Sequence, residues 1–425
     1  MIAWLLISFF VLLFLGVPIA MSLGLSAMGG ILFLGGGSTV TIAQRMFEGM
    51  NSFALLAIPL YTFAGFTMSK GGISKRLMDF CYSIVGHIYG GLAHVNVLSS
   101  MIFAGISGSA VADTAGVSGM FMPEMIRKGY SKNFTVAVTA ISSTIGIIIP
   151  PSIPMVVIAG ICGISTGKLF LGGIIPGILC GLAQMIVSYF LAKKEGVPKE
   201  PGHFTIGPVL HGLWESWPAL LMPIIIVGTI TMGIVSPTEA GVIAVVYGLF
   251  AGGIIYRELK WEDIKFAFAE TVRTSGRIFI VIGAAKLYTV MLTTAGFDKW
   301  VAKTMLGFST SPTVILIMIL LIFFIVTMFM ESIATLTLFM PILYPIALGV
   351  GINPIVLSVL ITVVIGIGLV TPPVGMCIYV ACDLMDTTVG EVFPTLVPFI
   401  AATFVCIALM VAFPQLILLP TYLMA

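Results

Sequence analysis

Gly105-Ile106-Ser107-Gly108-Ser109-Ala110-Val111-Ala112-Asp113 sets small polar residues and a carboxylate inside a stretch otherwise apolar enough to sit in lipid. Downstream, Ser142-Ser143-Thr144-Ile145-Gly146-Ile147-Ile148-Ile149-Pro150-Pro151-Ser152 does the same with a double proline. The pair then returns. Met330-Glu331-Ser332-Ile333-Ala334-Thr335 echoes the first piece, and Gly366-Ile367-Gly368-Leu369-Val370-Thr371-Pro372-Pro373 echoes the second. Phe121-Met122-Pro123 likewise recurs as Phe339-Met340-Pro341. Such breaks cannot face hydrocarbon, where each unsatisfied backbone group costs several kcal/mol. They must be buried in protein or line a watery cavity. Interrupted apolar segments at matching places in two halves point to the binding site of a carrier.

Working outward, the rest of the chain is membrane material. Of 425 residues, 59% are hydrophobic and only 8% charged, against about a quarter charged in soluble domains. Apolar runs of spanning length recur at 2–25, 52–69, 174–192, 217–235, 239–255, 276–292, 313–330, 352–370 and 396–419. They are continuous rather than alternating, which argues against a β-barrel. The expected fold class is therefore an all-α polytopic membrane protein. A net charge of +2 gives no sign of nucleic acid. The six cysteines form no paired or metal-type motif and read as small buried hydrophobes. Met1-Ile2-Ala3-Trp4 lacks a basic flank, so the first run reads as a retained helix, not a signal peptide.

Two repeats follow from this spacing: 1–192 and 214–425, joined by the polar stretch 193–213. In each, an arm portion (1–92 and 214–310) precedes a hairpin and a broken helix (93–192 and 311–425). Gly16-Val17-Pro18 interrupts the first run as Val235-Ser236-Pro237 interrupts its counterpart. Segments 38–50 and 258–273 are amphipathic and read as arms lying on membrane lipid. Gly71-Gly72 has a weaker counterpart in Ala295-Gly296. Whether the repeats are inverted or parallel stays open at this level.

The chemistry of the doubled element is that of a cation and an anion held side by side. A helix, a Ser-rich turn and a second helix form a re-entrant hairpin whose tip offers hydroxyl and carbonyl oxygens, the hard ligands of alkali and alkaline-earth cations. Proline removes a backbone donor and clashes with the carbonyl four residues back. A double proline after glycine thus unwinds a spanning helix, and the next helix starts with its positive end in the membrane, suited to an anionic group. Ser and Gly also serve plain helix packing, which explains any single Ser-Gly-Ser but not two hairpin-and-break pairs in register. Asp113 and Glu331 are intramembrane ionisable residues and functional by default. His87 and His94 read as structural, and Glu239 and Lys286 are left unplaced. Enzyme readings fail: there is no His-Glu-x-x-His and no phosphate loop. The string Gly163-Ile164-Ser165-Thr166-Gly167 lies between membrane runs, without the strand–turn–helix setting of a hydrolase nucleophile.

At these residues the chain resembles the large membrane (M) subunit of tripartite ATP-independent periplasmic (TRAP) transporters. The resemblance rests on Leu56-Ala57-Ile58-Pro59-Leu60, Gly71-Gly72-Ile73, Gly90-Gly91-Leu92-Ala93, Ser107-Gly108-Ser109-Ala110-Val111-Ala112-Asp113, Gly129-Tyr130, Ile149-Pro150-Pro151-Ser152-Ile153 and Pro176-Gly177, and covers essentially the whole chain. It implies an inverted-repeat, elevator-type carrier in the bacterial inner membrane, driven by Na+ and carrying an organic acid such as a C4-dicarboxylate or sialic acid. It implies two partners, a small membrane Q subunit and a periplasmic substrate-binding P subunit. It also implies site roles. Ser107, Ser109, Gly146, Ile149 and Pro150 would hold one sodium, and Gly366, Thr371 and Pro372 the other. Asp113, Thr114, Ser165, Glu331, Ser332 and Thr335 would face the carboxylate substrate. No cofactor is expected beyond the coupling ion. With no Q-like portion at its start, the chain is expected to be an unfused M subunit. The stretch after the carboxylate departs from the family in carrying Gly116, which is expected to loosen the second hairpin helix. The competing readings are a stand-alone sodium/anion symporter and a non-transporting receptor.

Overall fold

A computed structural model describes residues 1–34, 39–197 and 204–424, all of them helix, turn or loop with no strand. Among the described residues seven helices are long and apolar enough to cross a membrane. The first half runs α1 (Ile2–Phe14), α2 (Ile19–Leu34), α3 (Thr39–Met50), α4 (Ala57–Lys70), α5 (Ile73–Val85), α6 (Gly91–Ser107), α7 (Ala110–Arg127), α8 (Lys132–Ser143), α9 (Ile153–Cys162) and α10 (Thr166–Lys194). The second runs α11 (Ile206–Thr231), α12 (Pro237–Phe250), α13 (Trp261–Thr294), α14 (Phe297–Phe308), α15 (Pro312–Thr327), α16 (Ser332–Gly349), α17 (Pro354–Gly368), α18 (Met376–Asp383) and α19 (Val389–Ala412). Helix occupies both ends of the 193–213 stretch, and residues 198–203 within it lie outside the described residues.

Local chemistry explains most boundaries. Pro237 opens α12 at its first turn, where its missing N–H costs nothing, and Ser236 with Glu239 closes a reciprocal capping box before it. Gly72 and Gly296 stand at corresponding places, before α5 and α14, with φ of 79° and 80°. The match that looked weak in sequence is therefore close in backbone geometry, since both positions require the left-handed region that glycine enters freely.

Two expectations are corrected here. The amphipathic segment 258–273 is not a separate arm: from Trp261 on, α13 carries it without interruption into the apolar span, as one helix of 34 residues. In the first half, extended Ser52 (φ −133°, ψ 130°) separates α3 from the following span. In α13 the corresponding junction holds only a lone Gly276, whose cost of about 1 kcal/mol cannot end a helix so well packed. Gly116 does not loosen α7 either, which continues through it to Arg127.

The helices form two layers, each drawing on both halves. In the arm layer Tyr61 donates to the Pro237 carbonyl (2.8 Å), Thr238 to the Phe53 carbonyl (3.0 Å) and Tyr288 to the Leu5 carbonyl (2.9 Å). Arg76 pairs with Glu258 at 2.7 Å and lies over the Tyr256 ring. The hairpin layer packs α8 against α19 and α15 against α17 around a buried apolar core that includes Phe134, Phe323 and Phe399. Small residues line the seam between the layers. A Cβ on Gly65 of α4 would stand 3.2 Å from Ser107 Cα, and one on Gly105 of α6 would overlap Pro223 of α11.

Candidate functional site

Each hairpin tip is tied to the helix break of its own half. Gly108, at φ +65°, ends α6; Ser109 is extended and caps α7 by accepting from the Ala112 N–H. The Gly108 carbonyl then accepts from the Ile153 N–H, just past Pro150-Pro151, at 3.2 Å. A side chain at 108 has no room, because the Pro151 carbonyl lies 2.7 Å from the Cβ position. In the second half the Met328 carbonyl accepts from the Val374 N–H, just past Pro372-Pro373, at 2.9 Å. Both Pro–Pro peptides are cis. Ser152 stitches the first break together: its hydroxyl donates to the Ile147 carbonyl (2.5 Å) and accepts from the Met155 N–H (3.3 Å).

Asp113 sits in the first turn of α7, fully buried. Ser107 donates to its Oδ1, while Oδ2 has no hydrogen-bond partner among the described residues. Opposite lies Gly146, in the tight turn Thr144–Ile147, where an added Cβ would overlap the carboxylate, whose Cγ is only 3.1 Å away. Thr114 is buried beside them and donates to the Ala110 carbonyl (2.9 Å). The second half reaches in as well. Cys377, at the start of α18, meets the Thr114 side chain, and Gly366 packs where a Cβ would be 3.3 Å from Thr144. The structure therefore brings together Ser107, Ser109, Asp113, Thr114, Gly146 and, through Thr144, Gly366. Pro150 is buried and Ile149 half-buried beside them.

The second tip is built differently. Glu331 caps α16 with its own carboxylate: Oε1 accepts from the Ser332 hydroxyl (2.8 Å), and Oε2 from the N–H groups of Ile333 (3.0 Å) and Ala334 (3.3 Å). Thr335 donates to the Glu331 carbonyl (3.1 Å), and Thr371 to the Ile367 carbonyl (2.7 Å). Pro372 is half-buried at the break. Ser165 stands apart; it is exposed and serves as the cap of α10, accepting from the Lys168 N–H. The two intramembrane carboxylates thus differ: Glu331 is satisfied by its own helix, whereas Asp113 keeps a free oxygen.

Sequence reasoning missed Cys377, because a lone cysteine in an apolar run reads as packing. It also missed a buried relay behind the first break. Asn96 donates to Thr139 (2.7 Å), Ser142 to Asn96 (3.1 Å) and Ser100 to Ser142 (3.0 Å), fastening α6 to α8. An asparagine inside an apolar run was the available signal. His94 fits the structural role expected of it, its Nε2 lying 3.1 Å from the Tyr89 carbonyl. Among the described residues no three His, Cys, Asp or Glu side chains converge as a metal cluster would require.

Residues 6–416 match the family described as "Tripartite ATP-independent periplasmic transporter, DctM component". The sialic acid TRAP transporter large permease protein SiaM of Vibrio cholerae is 35% identical over 96% of this chain and 95% of its own length. The C4-dicarboxylate TRAP transporter large permease protein DctM of Pseudomonas aeruginosa is 35% identical over 95% and 94%. The isethionate TRAP transporter permease protein DctMQ of Oleidesulfovibrio alaskensis is 37% identical over 92% of this chain, which spans 62% of that longer protein. The fold is shared with the crystal structure of the Alcanivorax borkumensis YdaH transporter (TM-score 0.60, 13% identity, 87% of this chain and 86% of the other). With its hairpin-and-break pairs and its whole-length similarity to large permease subunits, this chain belongs to the DctM family of tripartite ATP-independent periplasmic transporters.

Proposed function

We propose that this chain is the inner-membrane permease subunit of a sodium-coupled importer of a small organic acid, working by alternating access of its hairpin layer against its arm layer. The acid is delivered by a periplasmic binding protein, and a small Q subunit completes the membrane part. The observation that carries the reading is the free Asp113 oxygen, fully buried between a hairpin tip and a helix break. A buried carboxylate oxygen without a partner is costly, and a co-transported Na+ would satisfy it with oxygen ligands from Ser107 and the turn around Gly146. The second tip, whose carboxylate is already engaged, would bind its cation through Thr371 and carbonyls near Gly366 and Pro372, so the two sites would not be equivalent.

The substrate class follows from helix ends and from relatives. α7 and α16 each start at a hairpin tip, and an anionic group suits such N-termini. Proteins similar to this one carry names for sialic acid, C4-dicarboxylate and isethionate permeases, and all three are organic acids. The fused DctMQ name supports a Q-type partner. Ser332 and Thr335 at the second tip, with Asp113 and Thr114 at the first, form the polar lining of the substrate path.

The test is uptake of radiolabelled succinate, N-acetylneuraminate and isethionate into proteoliposomes holding the permease and its Q partner. Uptake of one acid should require both an inward sodium gradient and the P protein. Uptake indifferent to sodium would remove the cation sites. Uptake that needs no P protein would instead favour a stand-alone symporter.

A further inference from the structure

Lys286 lies on α13, an arm-layer helix, within the apolar part of the span, and is half-buried. A charge at such a place normally has a partner. Lys286 has no ion pair and no hydrogen bond among the described residues. The nearby acid is Glu48 on α3, already held by Arg45 at 2.7 Å and exposed. Arg45's hydrogen bond, with a lesser contribution from the Lys286 charge, keeps the Glu48 carboxyl below its ordinary range. The Lys286 ammonium is thus close enough to be felt by Glu48 but is not neutralised by it.

Its direction follows from its neighbours. Positions three apart on a helix share a face. Three residues before Lys286, Gly283 lies against α3, where a Cβ would be 3.2 Å from the Met46 carbonyl. Three residues after it, Thr289 donates to the Leu338 carbonyl of α16 at 3.5 Å. Gly49 of α3 packs on the Lys286 stem itself, its Cβ position 3.0 Å from Lys286 Cγ. Lys286 therefore leaves α13 at the seam between a fixed arm and the second hairpin. Thr289 meets Leu338, and Thr293 and Ile342 line one cavity further along, so the two helices run side by side in the same direction. That register sets Lys286 level with Thr335, one turn from Glu331, whose carboxylate is committed to capping α16.

We propose that Lys286 is a substrate-specificity residue supplied by the arm layer: its ammonium pairs with the acid group of the substrate when the second hairpin tip presents it across the seam. This rests on the organic-acid permease reading above. The partner of the Lys286 ammonium is then the carboxylate or sulfonate of the cargo. Two layers that contact one anion from opposite sides also tie substrate binding to their relative position.

The test is steady-state uptake by the assembled transporter in proteoliposomes, using whichever of succinate, N-acetylneuraminate or isethionate the wild type carries. Lys286→Gln should raise KM for the acid about tenfold or more, as loss of a buried charge contact does, with the sodium half-saturation unchanged. Lys286→Arg should recover most of the loss. Glu48→Gln, on an exposed arm, should lower KM by roughly twofold, the size expected on removing an exposed competing charge. A merely structural Lys286–Glu48 contact would give no such gain. An unchanged KM in Lys286→Gln, or a Glu48→Gln variant with KM unchanged or raised, would overturn the proposal; the second result decides even if the lysine variants do not insert. Should the wild type carry none of the three acids, the substrate assignment on which the proposal rests fails instead.

Discussion

Asp113 and Gly146 define each other's space, and this makes Gly146→Ala an informative single change. The methyl group would overlap the carboxylate, and overpacking of this kind costs about 1–3 kcal/mol. Sodium-dependent uptake should collapse and the thermal unfolding midpoint fall. Asp113→Asn tests charge without changing shape. The amide can still accept from Ser107, so folding should hold, while the sodium concentration for half-maximal uptake should rise by about tenfold or more, as expected on losing a charge-assisted contact. If half-saturation stays at the wild-type value, Asp113 is not a cation ligand. Much of this cluster was legible beforehand, because a carboxylate and serines inside an apolar stretch have few other reasons to be there. Cys377 and Lys286 were not. Their meaning depends on which helix of the other half, or the other layer, comes to rest against them.

The helix breaks are held by caps as well as by prolines. Ser152 accepts from Met155 and donates across the break to Ile147, so Ser152→Ala removes two buried contacts. It should cost about 1–2 kcal/mol, seen as a lowered unfolding midpoint in detergent together with weakened uptake. Ser165→Ala removes an exposed cap outside the cluster. It should cost at most about 1 kcal/mol and leave uptake near wild type. Equal damage from both variants would contradict the special role given to the first break. Both breaks could be read from Pro-Pro and the first hairpin from Ser-Gly-Ser, since those residues act on their own backbone, and the second hairpin from Glu331-Ser332 at the matching place. The continuity of α13 could not. A lone Gly276 leaves the outcome to the packing of the flanking helix against α2, α3 and α16, and that is a tertiary effect.

The recurrence of motifs along the chain was visible in the sequence, but the two-layer division was not, because it depends on faces that meet only after folding. The seam is lined by Gly65, Gly105 and Gly160, residues with no side chain to interlock, which suits one layer moving past the other. Gly160 of α9 belongs to the hairpin layer and Ala54 to the arm layer. A Cβ on Gly160 would lie 3.8 Å from Ala54 Cβ, the separation a disulfide needs. An Ala54→Cys/Gly160→Cys protein, with the native cysteines replaced, can therefore be locked by oxidation without touching Asp113 or either tip. Under alternating access, sodium-driven uptake in proteoliposomes falls to background when the cross-link is complete and returns on reduction. Undiminished uptake by the fully cross-linked protein would contradict motion of the hairpin layer against the arms.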